Sequence, residues 1–144
     1  MLDASLIWLS RKIASQREFY SFALIGALAF IIDACILSFA LMIDPDAFFL
    51  GRFFSFLACV TFTFYFNRQI TFTGVANRPV VDQFVKYVGS NIIGATINLT
   101  VYGLLVFYYQ TARDWPVFAA AAGAVTGLIA NFALSKFFVF KVSN

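Results

Sequence analysis

A chain of 144 residues has room for one soluble domain, or for four membrane spans joined by short loops. Composition excludes the soluble domain: 62% of the residues are hydrophobic and 12% charged, against roughly 45–50% and about 25% in ordinary soluble domains. Twenty phenylalanines exceed what so small an interior could hide. The net charge of +3 is small, so where the charges lie matters more than their sum. With no histidine, and with Cys35 and Cys59 both inside apolar runs, a zinc or iron site has no ligand set. No metal, no cofactor and no nucleic-acid partner is expected.

In chain order, residues 1–18 come first. Leu2, Leu6, Leu9 and Ile13 fall at helical spacing, with Trp8 alongside and Arg11, Lys12 and Arg17 following. The pattern predicts a short amphipathic helix lying in the cytoplasmic interface. It is a poor signal peptide, because no long apolar stretch precedes a small-residue cleavage site. Four apolar runs follow: Phe19–Met42, Phe48–Phe66, Phe84–Tyr109 and Pro116–Ser135. Each is about long enough to cross roughly 30 Å of hydrocarbon as a helix. Barrel strands are excluded by the lack of alternation. Asp44-Pro45-Asp46 and Arg113-Asp114-Trp115-Pro116 mark the two outer turns, and Thr73–Gln83 the middle loop. The expected fold is therefore all-α, with four transmembrane helices over 19–144 and an interfacial segment over 1–18.

Orientation follows from Lys and Arg. Arg11, Lys12, Arg17, Arg68, Arg78, Lys86, Lys136 and Lys141 lie on one side, Arg52 and Arg113 on the other. Eight against two predicts that the first side, with both termini, is cytoplasmic.

The halves, about 19–72 and 84–140, resemble each other. A shift of 65 places Phe19 on Phe84 and Asp33 on Asn98; a shift of 68 places Asn67–Phe72 on Ser135–Phe140. Each half reads as a hairpin starting inside, so the repeat is parallel, with its axis along the membrane normal.

Polar groups in hydrocarbon are costly and point to function. Asp33 stands about 14 residues into the first span, about 21 Å from its inner edge, and Arg52 enters the second span from outside. The two are expected to pair. One reading makes them a polar centre that receives a lipid phosphate or lines a pathway; the other makes them a static lock, with Arg52 snorkelling outward. The second half has Asn98 and Ala120 instead, so charge-dependent work falls to the first hairpin.

Other polar residues form stripes. They are Arg52, Ser55, Cys59, Thr63 and Asn67 on the second helix, and Ser90, Asn91, Gly94, Asn98 and Tyr102 on the third. The fourth carries Ala119, Gly123, Gly127, Asn131 and Ser135. They fit a narrow polar groove or a hydrogen-bonded interior equally. Gly123 and Gly127 read as a close-packing face, within the chain or between two copies. At the inner edge Arg68 and Lys136 hold equivalent repeat positions, with Arg17 and Lys86 nearby. Such cations attract anionic headgroups or simply anchor the inner side.

Phe22-x3-Gly26-x6-Asp33, Asn67-Arg-x-x-Thr-Phe72 and Ser135-Lys-x-x-Val-Phe140 together resemble the GtrA-like family of four-helix membrane proteins, over roughly Phe19 to Phe140. The resemblance implies translocation (flipping) of a polyprenyl-phosphate-linked sugar across the bacterial cytoplasmic membrane, beside a membrane glycosyltransferase. It carries over Asp33, Asn67, Arg68 and Lys136 as motif positions, and Asn98 and Asn131 join them as polar residues on the repeat's second half. Ser135 and Asn98 depart from the first half's Asn67 and Asp33, which argues against two symmetric sites.

Three function classes are compatible with a small polytopic chain. A translocase needs a polar path open sideways, so that the lipid tail stays in the bilayer. With no nucleotide-binding motif, movement would be energised elsewhere or run down the substrate gradient. The alternative is a non-transporting accessory subunit that anchors or organises a glycosyltransferase. A proton-coupled cation exporter built on Asp33 fits poorly, since such carriers show little Lys/Arg bias and Arg52 would hold Asp33 charged. An enzyme is not expected, because no nucleophile–base pair is present. The partners expected are the bilayer, the lipid-linked sugar, a transferase and a second copy through Gly123/Gly127.

Overall fold

The computed structural model describes residues 4–46, 48–73 and 79–140, with side chains from residue 13 onward except at 48. The side chains of Leu2, Leu6, Trp8, Leu9, Arg11 and Lys12, and all of Gly74, Asn77, Arg78 and Lys141, lie outside the described residues. Every regular element among the described residues is helical. Four helices are long and apolar enough to cross a membrane: Ile13–Ile43, Phe49–Thr71, Val80–Tyr108 and Pro116–Val139. Backbone groups in lipid must be satisfied within the segment, which is why these runs become helices. The chain divides into two compact units, Met1–Gly74 and Val75–Asn144.

In the first unit α1 spans Ala4–Ile43 and α2 spans Phe48–Phe66. The expected break at residue 18 is not there, since residues 4–18 continue into the span as one helix. No Gly or Pro interrupts α1 before Gly26, and a methyl at Gly26 would meet nothing within 4 Å. Nothing local ends the helix until Asp44-Pro45-Asp46. There the Asp46 amide donates to Asp44 Oδ1 at 3.0 Å and reverses the chain.

In the second unit α3 spans Val80–Tyr108, a short α4 spans Gln110–Asp114 and α5 spans Pro116–Leu134. The third helix starts four residues before the expected Phe84, where Pro79 precedes its first turn and Asp82 suits its positive end. The break between the last two spans, expected at Arg113–Pro116, holds the short α4. Arg113 donates from Nη1 to the carbonyls of Val106 (3.0 Å) and Phe107 (2.9 Å), capping α3. Pro116 then opens α5, where a missing N–H costs nothing.

Both hairpins end in a five-residue π-helical turn, Asn67–Thr71 and Ser135–Val139. The Phe72 amide donates to the Asn67 carbonyl and the Phe140 amide to the Ser135 carbonyl, each at 2.8 Å. The wider turn shifts the side-chain register relative to an α-helix. Phe72 is thereby buried against Phe22 of α1, ring centroids 6.1 Å apart, and Phe140 against Tyr87 of α3, 5.7 Å apart. The two motifs read in the sequence are these turns.

Candidate functional site

In the half of the first hairpin nearer the Asp44–Asp46 turn, Asp33 of α1 and Arg52 of α2 form an ion pair through Oδ2 and Nη1. The spacing of the two helices about the Asp44–Asp46 turn brings them level, as the sequence suggested. The pair is lopsided. The Asp33 side chain is 16% exposed, whereas that of Arg52 is 60% exposed. Exposed aromatics surround that edge of α2, among them Phe49, Phe53 and Phe54.

Below the pair, the polar stripe of α2 faces inward and is consumed by the hairpin. Ser55 is fully buried and donates to the Arg52 carbonyl at 3.1 Å. The Cys59 thiol donates to the Ala29 carbonyl of α1 at 3.0 Å, and Thr63 donates to the Cys59 carbonyl at 2.8 Å. Within this hairpin the stripe is a hydrogen-bonded interior rather than an open groove.

At the π-turn end of the hairpin Asn67 is 1% exposed and accepts at Oδ1 from the Thr71 hydroxyl at 2.9 Å. Asn67, expected from the sequence to meet substrate, is buried here and ties down its own turn, because it continues the inward stripe of Ser55, Cys59 and Thr63 at helical spacing. Arg68, the next residue, is half-buried. Arg17, Glu18, Ser21, Thr71 and Thr73 line a small polar recess of about 100 Å³ there. The cation and the polar recess thus share one end of the hairpin.

The second hairpin uses the same positions for close packing. The buried glycines Gly123 and Gly127 lie directly against α3. A Cβ at Gly123 would fall 2.6 Å from the Asn98 carbonyl, and one at Gly127 would fall 2.9 Å from the Gly94 carbonyl. Asn131 seats its amide on Gly94, where a methyl would collide with it. Asn98 and Asn131 therefore both lie in the α3–α5 seam. The glycine face that the sequence offered to a second copy is occupied by α3 of the same chain, so a dimer would need another surface. Lys136 is half-buried, with Nζ 5.6 Å and 5.8 Å from the ring centres of Phe132 and Phe137, within cation–π range.

Two residues at the π-turn ends of the hairpins were missed by sequence reasoning. Gln83 is fully buried in α3, and Glu18 of α1 carries a buried Oε2. The same 65-residue shift superposes them. Carrying the repeat one position back from Phe19 and Phe84 would have found a polar residue at the base of each odd helix.

The family described as GtrA/DPMS, transmembrane domain, matches residues 21–140. Comparisons with curated proteins and with solved structures gave no match. Since the family match takes in most of the first span, the other three spans and both π turns, this chain belongs to the GtrA/DPMS transmembrane-domain family and is a multi-pass membrane protein.

Proposed function

We propose that the protein translocates polyprenyl-phosphate-linked sugars across the bacterial cytoplasmic membrane, with both termini inside, as a carrier that makes and breaks no covalent bond. The observation that carries this reading is the lopsided Asp33–Arg52 pair. A charge in the apolar part of a membrane normally turns toward the protein interior. Arg52 keeps one edge on the half-buried Asp33 carboxylate and presents the rest outward. A guanidinium held this way offers two-point hydrogen bonding to a phosphate arriving from the lipid side. Asp33 fixes its position and leaves donors over. Arg68 and Lys136, both half-buried at the inner ends of their hairpins, suit capture of the same phosphate from the inner leaflet. A glycosyltransferase would supply the loaded lipid.

The test is a reconstitution. Liposomes loaded with a labelled polyprenyl-phosphate hexose are assayed for exposure of the label to an impermeant reagent outside. Faster exposure than in protein-free liposomes is expected. No acceleration with several lipid-linked sugars would overturn the reading and favour an accessory subunit of a transferase.

A further inference from the structure

A recess of about 270 Å³ opens on the second hairpin, bounded by Lys86, Gly89, Ser90 and Ile93 of α3 with Leu134 of α5 and Phe138 of the π turn. It lies wholly within that hairpin, and neither Asn98 nor Asn131 lines it. Three features define what could fill it. Its wall is hydrocarbon and ring edge almost throughout. Ser90 adds little polarity, since its hydroxyl already donates to the Tyr87 carbonyl at 2.8 Å. Gly89 leaves its floor open, because a Cβ there would meet nothing within 4 Å. At its edge stands one cation, Lys86, with Nζ 2.8 Å from Asp82 Oδ2 and 5.9 Å from the Phe138 ring centre.

We infer that this recess binds the phosphate-proximal end of a polyprenyl phosphate, with Lys86 on the phosphate and the first isoprene between Gly89, Ile93 and Phe138. The inference rests on the translocation reading above and adds a binding subsite to it. Charge and shape select this occupant over an ordinary phospholipid. In a phospholipid, glycerol and ester carbonyls separate phosphate from hydrocarbon, and those oxygens would need donors that the wall lacks. In a polyprenyl phosphate the hydrocarbon begins at the first carbon beyond the phosphate oxygen. Here, likewise, the apolar wall begins beside the cation. Lys86 lies six residues into α3, about 9 Å along it, a depth at which its stem can lie in hydrocarbon while the ammonium reaches the headgroups. The Asp82 partner is an exposed i,i+4 neighbour and holds Lys86 only weakly.

The test uses the full chain in vesicles of phosphatidylethanolamine and phosphatidylglycerol, with a farnesyl phosphate carrying a diazirine on its first isoprene. After illumination, mass spectrometry is expected to find label on Gly89, Ile93 or Phe138 despite the excess of phosphatidylglycerol. Gly89→Leu fills the recess from its open floor and is expected to lower this labelling at least tenfold with an unchanged melting temperature. Lys86→Gln, a surface change that leaves folding intact, is expected to lower it about fivefold. Asp82→Asn frees the ammonium and is expected to raise labelling about twofold. Equal labelling by the farnesol analogue, or displacement by inorganic phosphate alone, would overturn the assignment, as would labelling indifferent to Gly89→Leu and Lys86→Gln. A subsite that labels as expected in a protein that moves no lipid would leave this inference standing and remove the translocation reading. Transport with the recess unlabelled would do the reverse.

Discussion

The two hairpins share a frame and fill it with different chemistry. Both close with a π turn whose final Phe packs on the odd-numbered helix. Between the hairpin turn and that closure they diverge. Where the first hairpin has Ser55 and Cys59 reaching carbonyls, the second has Gly123 and Gly127 letting backbones touch. Where the first has Asp33 and Arg52 in an ion pair, the second has Asn98 beside Gly123, and Ala120. Hydrogen bonds and charge hold one hairpin, and van der Waals contact between small residues holds the other. A shared frame can therefore keep its end closures while one hairpin relies on charge and the other on packing.

That contrast can be broken from either side. The largest effect is expected from Arg52→Ala, which leaves the Asp33 carboxylate in hydrocarbon without its partner and should lose about 3 kcal/mol of stability, measured by steric trapping in bicelles. Adding Asp33→Asn should recover most of that loss, since the double change imitates the uncharged second hairpin. Gly123→Val comes next. Its Cβ would strike the Asn98 carbonyl, a backbone atom that cannot swing away, so a loss of about 2 kcal/mol is expected. Thr71→Val removes the hydroxyl bonded to Asn67 and gives the first turn the residue found at Val139. Its expected cost is about 1 kcal/mol in the same assay. The smallest effect belongs to Gly26→Ala, with nothing within 4 Å of the new methyl. It should be neutral or stabilise α1 by up to about 1 kcal/mol.

Much of this was readable from the chain because lipid imposes simple rules. The bounds of α2 and the start of α5 follow from Pro, Asp and the edges of apolar runs, and the Asp33–Arg52 pairing follows from equal depth in a hairpin. The repeat shift located both closing motifs. Their π geometry was not readable, because α and π turns draw on the same residues and differ by one position in register. Asn67 looked available to a ligand and is buried, on the same inward stripe as Ser55 and Thr63. The continuity of α1 through residue 18 was missed for a different reason. Amphipathic spacing describes which face is wet, and only a breaker residue ends a helix. Gly123 and Gly127 announced close packing, but the partner helix depends on which carbonyls lie opposite. Small residues carry no label for that.

The central claim is that Arg52, steadied by Asp33, receives the lipid phosphate. Exchanging the two charges tests it most directly, by comparing Asp33→Arg/Arg52→Asp with wild type in the liposome translocation assay, alongside stability. The swap keeps an ion pair but puts a carboxylate on the exposed edge. Stability near that of wild type with transport reduced to the protein-free rate is the result expected. Transport at the wild-type rate by the swapped protein would contradict the claim and leave the pair as a lock on the hairpin.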